Sequence, residues 1–434
     1  LEARITQRSE FTCNDSKCGT HCPIEKVKID FNGQEKIALS GGACPKYEIS
    51  KSRSNQLEKE APDPFKQRQS LIDTFEDTDP GYTVVGIPVV GALSGHIPWL
   101  AGFIKALGFS VKLLKSDTQS LARGEQLCNS FDSCGPVKIA HAVCNNDDIR
   151  FLFLPKIMDI PDTEGLGGMP CVTEQTLPEL IDQGLKSKEH NIEVIRPKLF
   201  LNKDVTGKHP LNQLVASLKK YKIFKELNRS HVQKALSAAQ HAQDTYSKAL
   251  LDFGQDALNY AYEKKVPPVV VCGSLHVIHD TAANSKIPTI LRQNGAMAIP
   301  MDCLSIPDTV QTMEKIYWAD ANRYLRAAET AMKAQTIYPL MLSSFGCGPA
   351  SFTEQVFQSL LHGYPHTILE SDGHGGTAGF VTRIQSFLQS VNQYMAQQTA
   401  APKTEMDQEM APPESKIRTY IDKGKYSGPY MDKN

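Results

Sequence analysis

Cysteine is the residue type whose spacing in this chain points most directly to chemistry. Of eleven cysteines in the sequence, four lie near the start with the spacing C-x4-C-x3-C-x21-C: Cys13, Cys18, Cys22 and Cys44. Three more stand beside glycine or proline further along the chain: Cys134, Cys171 and Cys347. Thiolates bind metals strongly, and thiolates gathered in a cytosolic protein indicate a metal more often than a disulfide framework. The cysteines therefore predict a metal centre.

The first group of cysteines alone allows two kinds of site. Structural zinc sites use C-x2–4-C pairs, and four thiols complete a zinc site. The same four thiols would also suit one [4Fe-4S] cluster. Either local site leaves the three later cysteines without a role, although each one taken singly is more readily a buried core residue. The remaining cysteines are interpreted as core or surface thiols: Cys128, Cys144, Cys272 and Cys303.

Short apolar strands that alternate with helices must position the three later cysteines. Strands are predicted at 84–87, 110–114, 150–154, 269–271, 296–299 and 367–369, and helices at 99–107, 211–264 and 379–395. Alternating strands and helices indicate parallel sheets, which bind ligands beyond the carboxyl ends of their strands. The prediction is an α/β fold with two doubly wound, Rossmann- or flavodoxin-like units and a helical segment between them.

A small cysteine-rich hairpin is predicted to precede these units. Alternating runs at 27–31 and 36–39 flank Asn32-Gly33, a dipeptide that favours a tight hairpin and would return Cys44 to the side of Cys18 and Cys22. The predicted organisation is a cluster-binding hairpin at 1–50, a linker at 51–80, a first α/β domain at 81–210, a helical segment at 211–265, a second α/β domain at 266–396 and a polar tail at 397–434.

Composition restricts the possible partners and compartments. The 434 residues carry a net charge of −1, which gives no reason to expect nucleic acid or an anionic membrane surface. No run approaches the roughly 18 apolar residues of a membrane span, and no signal peptide is visible. The odd number of cysteines argues against complete disulfide pairing. We therefore expect a cytoplasmic protein, and a start at Leu1 is compatible with a piece of a longer polypeptide.

A glycine-rich stretch at 370–379 is the other informative segment. It follows a predicted strand and leads into a predicted helix, so its backbone amides could hold an anion with Arg383 adding positive charge. It is equally explained as a turn needed only for packing. The sequence lacks the G-x4-G-K-[ST] phosphate loop, which predicts that the chain does not bind ATP by itself. The turn that ends at His276 is too short to be a dinucleotide signature.

Several ordered motifs resemble a known family. Phe345-Gly-Cys347-Gly-Pro-Ala-Ser-Phe352, Glu370-Ser-Asp372-Gly-His374 and Ala378-Gly-Phe-Val-Thr-Arg383-Ile are similar to the activase-related proteins of the 2-hydroxyacyl-CoA dehydratase system. The resemblance spans about 13–390 through Gly86-Ile-Pro88, Leu107-Gly-Phe109, Ser133-Cys134-Gly-Pro136-Val-Lys138-Ile-Ala-His141, Phe153-Leu-Pro155-Lys156 and Pro170-Cys171 with Gln175. The chain departs from the family pattern at Gly135, where a bulky residue is common, and Cys13 has no counterpart there.

The resemblance implies a low-potential iron–sulfur protein that acts as an ATP-dependent reductase or dehydratase-like component. Its electrons would come from an ATP-hydrolysing activase module, on a separate chain or upstream in the same polypeptide, and would reduce a small molecule or an acyl-CoA. A homodimer is compatible with it. Two cubanes that share a bridging sulfide need three thiolates each, and six cysteines match the family's pattern: Cys18, Cys22, Cys44, Cys134, Cys171 and Cys347. An [8Fe-9S] double cubane and a single [4Fe-4S] cluster both remain open.

The predicted site lies in a cleft between the two α/β units, onto which the hairpin would fold. Lys138 and His141 are expected in the cleft with the cysteines, and the turn at 373–379 with Arg383 is expected to border it. The alternative function is a structural zinc-binding module that mediates interactions within a larger polypeptide.

Overall fold

Two four-stranded parallel sheets form the body of the protein in the computed structural model. The structure describes residues 3–13, 23–31, 34–40, 57–58, 60–128, 133–161, 168–188, 190–201, 208–371 and 377–400. Cys18, Cys22 and Cys44 lie outside the described residues, as do 372–376 of the glycine-rich turn and 401–434 of the predicted tail.

Strands and helices alternate along most of the chain. The strands are β1 Ala3–Thr12, β2 Pro23–Phe31, β3 Gln34–Ser40, β4 Val84–Pro88, β5 Ser110–Leu114, β6 Phe151–Phe153, β7 Lys156–Asp159, β8 Glu193–Ile195, β9 Lys198–Phe200, β10 Pro268–Cys272, β11 Met297–Pro300, β12 Tyr338–Ser344 and β13 Thr367–Ser371. The helices are α1 Pro64–Asp73, α2 Ile97–Ala106, α3 Ser120–Leu127, α4 Gly135–Cys144, α5 Val172–Ser187, α6 Lys208–Leu218, α7 Arg229–Lys264, α8 Leu275–Ile278, α9 Ile287–Gln293, α10 Ala319–Ala334, α11 Gly348–Leu360 and α12 Thr377–Ala400. Single 3₁₀ turns lie at Gly91–Gly95, Lys222–Phe224 and Met301–Cys303.

Both parallel sheets have the same winding order. The first unit has the order β5-β4-β6-β8 and the second has β11-β10-β12-β13. Strands β4 and β10 are almost wholly buried, which explains their uninterrupted apolar sequences. The predicted α/β fold with two doubly wound units is confirmed.

The strand order fixes where a ligand can bind. In each unit the first strand lies between the second and the third, so the chain reverses its direction of winding there. Open α/β sheets bind ligands in the crevice that this reversal leaves beyond the carboxyl ends of the strands. The segments that follow β4, β10 and β12 therefore line such crevices.

A three-stranded antiparallel sheet precedes the first unit. Strands β2 and β3 pair in antiparallel register from Phe31↔Gln34 to Glu25↔Ser40, and β1 adds a strand that the sequence pattern did not predict. Cys13 follows β1 and is buried. The predicted linker contains α1, which packs on α7 and β11. None of the helices in the described part of the chain is long and apolar enough to cross a membrane.

Helices α3 and α4 cross at a contact that only glycine allows. A Cβ atom built on Gly124 would lie 1.9 Å from the carbonyl oxygen of Lys138. Gly124→Ala is therefore expected to lower the free energy of unfolding by about 1–3 kcal/mol, because the two helices must separate. Urea denaturation of both proteins measures this change.

Gly379 provides the matched control for this substitution. It lies in α12, and a Cβ atom there would meet nothing within 4 Å. Gly379→Ala should change the free energy of unfolding by about 1 kcal/mol at most, and towards greater stability, since alanine favours helix. Equal effects of the two substitutions would show that the α3–α4 contact is not close.

Candidate cysteine-lined metal centre

Three cysteines at three helix starts line one cavity between the two units. Cys134, Cys171 and Cys347 are the residues immediately before α4, α5 and α11, and each occupies the N-cap position. All three line a cavity of about 50 Å³, here called the cysteine cavity, together with Gly91 after β4 and His276 after β10. The structure thus brings the three later cysteines together at the carboxyl edges of both sheets.

The local sequence explains why a helix begins at each cysteine. Cys134 and Cys347 are both followed by Gly-Pro, which places proline in the first helical turn, where its fixed φ suits a helix and its missing N–H costs nothing. Cys171 instead begins a capping box. Its sulfur accepts from the backbone amide of Glu174, and its own amide donates to Oε2 of Glu174 at 3.1 Å.

The three helix starts place partial positive charge beside the cysteines. The first amides of a helix have no partner within it, and the helix dipole places partial positive charge there. The amides of Val137 and Ala350 favour the thiolates of Cys134 and Cys347, although neither amide forms a capping hydrogen bond. The arrangement favours negatively charged sulfur.

Burial opposes ionisation of the same thiols. It raises the pKa of the Cys171 thiol to about 12 and that of the Cys347 thiol to about 11, and it also raises the pKa of Cys134. These thiols therefore carry their protons at neutral pH unless a cation displaces them. Metal binding by such thiols releases protons and strengthens as the pH rises.

A buried ion pair joins the two units beside the cysteines. Nδ1 of His276, on α8, lies 3.0 Å from Oε1 of Glu174, on α5, in ionic contact but without the alignment of a hydrogen bond. Burial alone would lower the pKa of His276, but Glu174, together with Asp320 and Asp280, outweighs burial and the pKa is raised. Burial alone would raise the pKa of Glu174, but His276 outweighs it and the pKa is lowered. Both groups are thus held in their charged forms.

Sequence reasoning missed Glu174 as a residue of the site. One signal was available, because Cys171-Val-Thr-Glu174 matches the [ST]-x-x-[DE] capping-box pattern with cysteine in the place of serine. The pairing of Glu174 with His276 had no such signal, since 101 residues separate them in the chain and no local pattern reports so long-range a contact.

Backbone pairing fixes the segment that carries Cys171 to the second unit. The amide of Met169 donates to the carbonyl of Tyr317 at 2.8 Å, and the amide of Ala319 donates to the carbonyl of Met169 at 3.1 Å. A Cβ atom on Gly168 would lie 2.7 Å from the backbone of Ala319, so glycine permits this approach. Cys171 is therefore positioned by both units.

Three other residues that were expected in or beside the cleft do not line the cysteine cavity. Lys138 forms an ion pair with Glu125 at 3.2 Å, and His141 lines a separate small cavity with Lys188. Both residues lie further along α4 than its first turn, and that first turn is the part of α4 that faces the cysteines. Arg383 is exposed on α12. The expectation for these three side chains is wrong, and the turn at 372–376 lies outside the described residues.

The other described cysteines do not line the cysteine cavity. Cys144, Cys272 and Cys303 are buried core residues, as predicted, and Cys128 is partly buried with its sulfur 3.5 Å from the hydroxyl of Ser133. The eight cysteines that the structure describes are all free thiols.

The described residues alone do not complete a site for a single metal ion. Among the described residues, no group of three or more histidine, cysteine, aspartate or glutamate side chains is arranged to hold a metal ion. A single tetrahedral ion requires thiolates within about 4 Å of one another, given metal–sulfur bonds of about 2.3 Å. In an iron–sulfur cluster each thiolate binds a different iron, so the thiolates stand further apart.

Comparison with known proteins identifies the family. The model of the CoA enzyme activase uncharacterised domain matches residues 84–304, just over half of the chain. The chain belongs to this family. The matched region of the CoA enzyme activase domain includes Cys134, Cys171, Glu174 and His276, while Cys347 lies beyond it.

Two further comparisons add nothing to this assignment. No curated protein matches the chain. Among solved structures, a Salmonella typhimurium LT2 protein described as sugar-binding is 9% identical, with 75% of this chain and 97% of that chain covered and a TM-score of 0.18. A TM-score this low supports no conclusion about the fold or function of the CoA enzyme activase domain.

Proposed function

We propose that this member of the CoA enzyme activase family is an iron–sulfur protein that transfers low-potential electrons to a small molecule or an acyl-CoA. One observation carries the proposal: three free thiols, each at the start of a helix, line one cavity where the carboxyl edges of two parallel sheets meet. Such a cluster supplies one-electron chemistry when bound.

The residues of the chain have separate tasks in this proposal. Cys134, Cys171 and Cys347 bind iron, and the amides at the three helix starts offset the negative charge of sulfur. The apolar side chains that line the cavity, among them Leu177 and Trp318, exclude water from it. Cys18, Cys22 and Cys44 complete the six ligands that a double cubane needs. A single [4Fe-4S] cluster needs fewer cysteine ligands than a double cubane.

The proposed partner is an ATP-hydrolysing activase module, on a separate chain or on the same polypeptide, in a reducing cytoplasm. The sequence lacks a phosphate loop, so ATP hydrolysis is assigned to the partner. Calorimetry of this chain with ATP is expected to show no binding, and micromolar affinity would contradict this division of tasks.

Metal and sulfide analysis tests the proposed function. Protein purified without oxygen, or reconstituted with iron and sulfide, should contain iron and acid-labile sulfide in similar amounts. Zinc without labile sulfide would instead support the alternative, a structural zinc module. Since iron can adhere to any exposed thiol, the same analysis on protein with all three cavity cysteines replaced by serine provides the control.

A further inference from the structure

Glu174 is a buried carboxylate that lies against one of the cavity cysteines. Its Oε2 accepts from the amide of Cys171 at 3.1 Å, and its own amide donates to the sulfur of Cys171. Only 13% of its side chain is exposed. Because both ends of Glu174 contact Cys171, the carboxylate cannot turn away from the cysteine cavity without breaking the capping box.

The charge of Glu174 acts on all three cavity thiols. Glu174 lines the cysteine cavity together with Cys134, Cys171 and Cys347. Coulombic interactions extend further in a buried site than in water, because the effective dielectric constant is lower. A single carboxylate therefore opposes negative charge at each of the three positions.

His276 places a positive charge against this carboxylate and also lines the cysteine cavity. It belongs to the second unit, and 12% of its side chain is exposed. Asp320 also lines the cysteine cavity, and its carboxylate accepts from the amide of Leu275 at 3.2 Å. Glu174 and His276 are thus the two groups beside the thiols that form a buried ion pair with each other.

Reduction of any iron–sulfur group adds negative charge to it. A fixed anion nearby makes that addition less favourable and lowers the reduction potential, whereas a fixed cation raises it. The sign of each effect follows from the charge alone and is independent of the cluster type.

We propose that Glu174 and His276 set the reduction potential of the iron–sulfur group held by the cavity cysteines, Glu174 lowering it and His276 raising it. This inference rests on the proposed function. It assigns neither residue to the metal: they act on the potential from beside the ligands.

Redox titration of reconstituted protein, followed by electron paramagnetic resonance, tests the pair. Glu174→Gln should move the midpoint potential to a higher value and His276→Gln should move it to a lower one, with iron content unchanged. The double variant should lie between them. Glu179→Gln is the matched control, because Glu179 lies on the same helix, binds Lys156 at 2.9 Å and does not line the cavity. Its midpoint potential should equal that of the wild type.

The outcomes separate this inference from the proposed function. A wild-type protein without iron refutes the proposed function and, with it, the inference. A wild-type protein with iron, combined with Glu174→Gln and His276→Gln variants whose midpoints do not move, overturns the inference alone. If the Glu174→Gln protein loses its iron because the capping box fails, the His276→Gln protein provides the test. A lower midpoint potential in that variant supports the inference, and an unchanged midpoint potential overturns it.

Discussion

Replacing any one of Cys134, Cys171 and Cys347 with serine is expected to reduce iron binding by about 10-fold or more. Loss of a residue that merely supports a ligand already costs about 10- to 100-fold in metal affinity, and loss of the ligand itself should cost at least as much. The three thiols line one cavity, so each loss should affect the same centre. Iron analysis and the paramagnetic spectrum of the reduced protein measure the effect.

Cys128 provides the control for this series. Like the three cavity cysteines it is partly buried, but it does not line the cysteine cavity. Cys128→Ser should retain the iron content and spectrum of the wild type. If all three cavity variants also retain them, the metal lies only among the cysteines near the start of the chain and the cavity has another role.

Replacing Asp302 with asparagine is expected to lower the free energy of unfolding by about 3–5 kcal/mol. The carboxylate of Asp302 accepts from Nε of Arg68 at 3.1 Å and from Nε2 of His279 at 2.9 Å, and the side chains of all three are at most 7% exposed. Arg68 would then remain buried without a counter-charge, which is the costly outcome when one partner of a buried pair is removed. Urea denaturation measures the loss.

The ionisation of Asp302 within this buried network predicts that the stability of the folded protein depends on pH. Burial would raise the pKa of Asp302, but His279 and Arg68 outweigh burial and hold the pKa below its ordinary value. A carboxylate with a lowered pKa stabilises the folded state above the pKa of the unfolded chain, which is about 3.9. This contribution should decline as the pH falls below about 4, and the Asp302→Asn protein should lack it.

An exposed ion pair is the control for Asp302. Asp148 accepts from Lys112 at 3.0 Å, and its side chain is 76% exposed. Asp148→Asn should change the free energy of unfolding by about 1 kcal/mol at most, since water screens exposed pairs. A loss as small for Asp302→Asn would show that the buried network of Arg68, Asp302 and His279 contributes little to the stability of the fold.

The sequence predicted the elements whose patterns are local. β4, β10 and β11 are runs of apolar residues covered on both faces, and such runs are visible in the sequence without knowledge of their neighbours. β12 was missed because Pro339 interrupts its apolar run, and proline normally argues against a central strand. In the structure Pro339 lies beside Val270 in a fully buried strand.

The site could be predicted only in part for the same reason. Cysteines next to glycine and proline indicated three positions, because the Cys-Gly-Pro sequence that marks Cys134 and Cys347 is also a helix start. The pairing of Glu174 with His276 depends on how the two units meet, which no local pattern records. Lys138 was misplaced because the turns of α4 rotate it away from the cysteine cavity to Glu125.

The strands and helices of the two units give the three cysteines a common location. Each lies at a helix start at the carboxyl edge of a parallel sheet, and the backbone pairing of Met169 with Tyr317 and Ala319 joins those edges. We therefore expect the positions of the three cysteines to be similar with and without the cluster.

Anomalous X-ray diffraction at the iron absorption edge tests the central claim most directly. Crystals grown without oxygen from iron-loaded protein should show an iron peak in the cysteine cavity, bordered by the sulfurs of Cys134, Cys171 and Cys347. Anomalous signal at the zinc edge among the cysteines near the start of the chain, with no iron in the cavity, would contradict it.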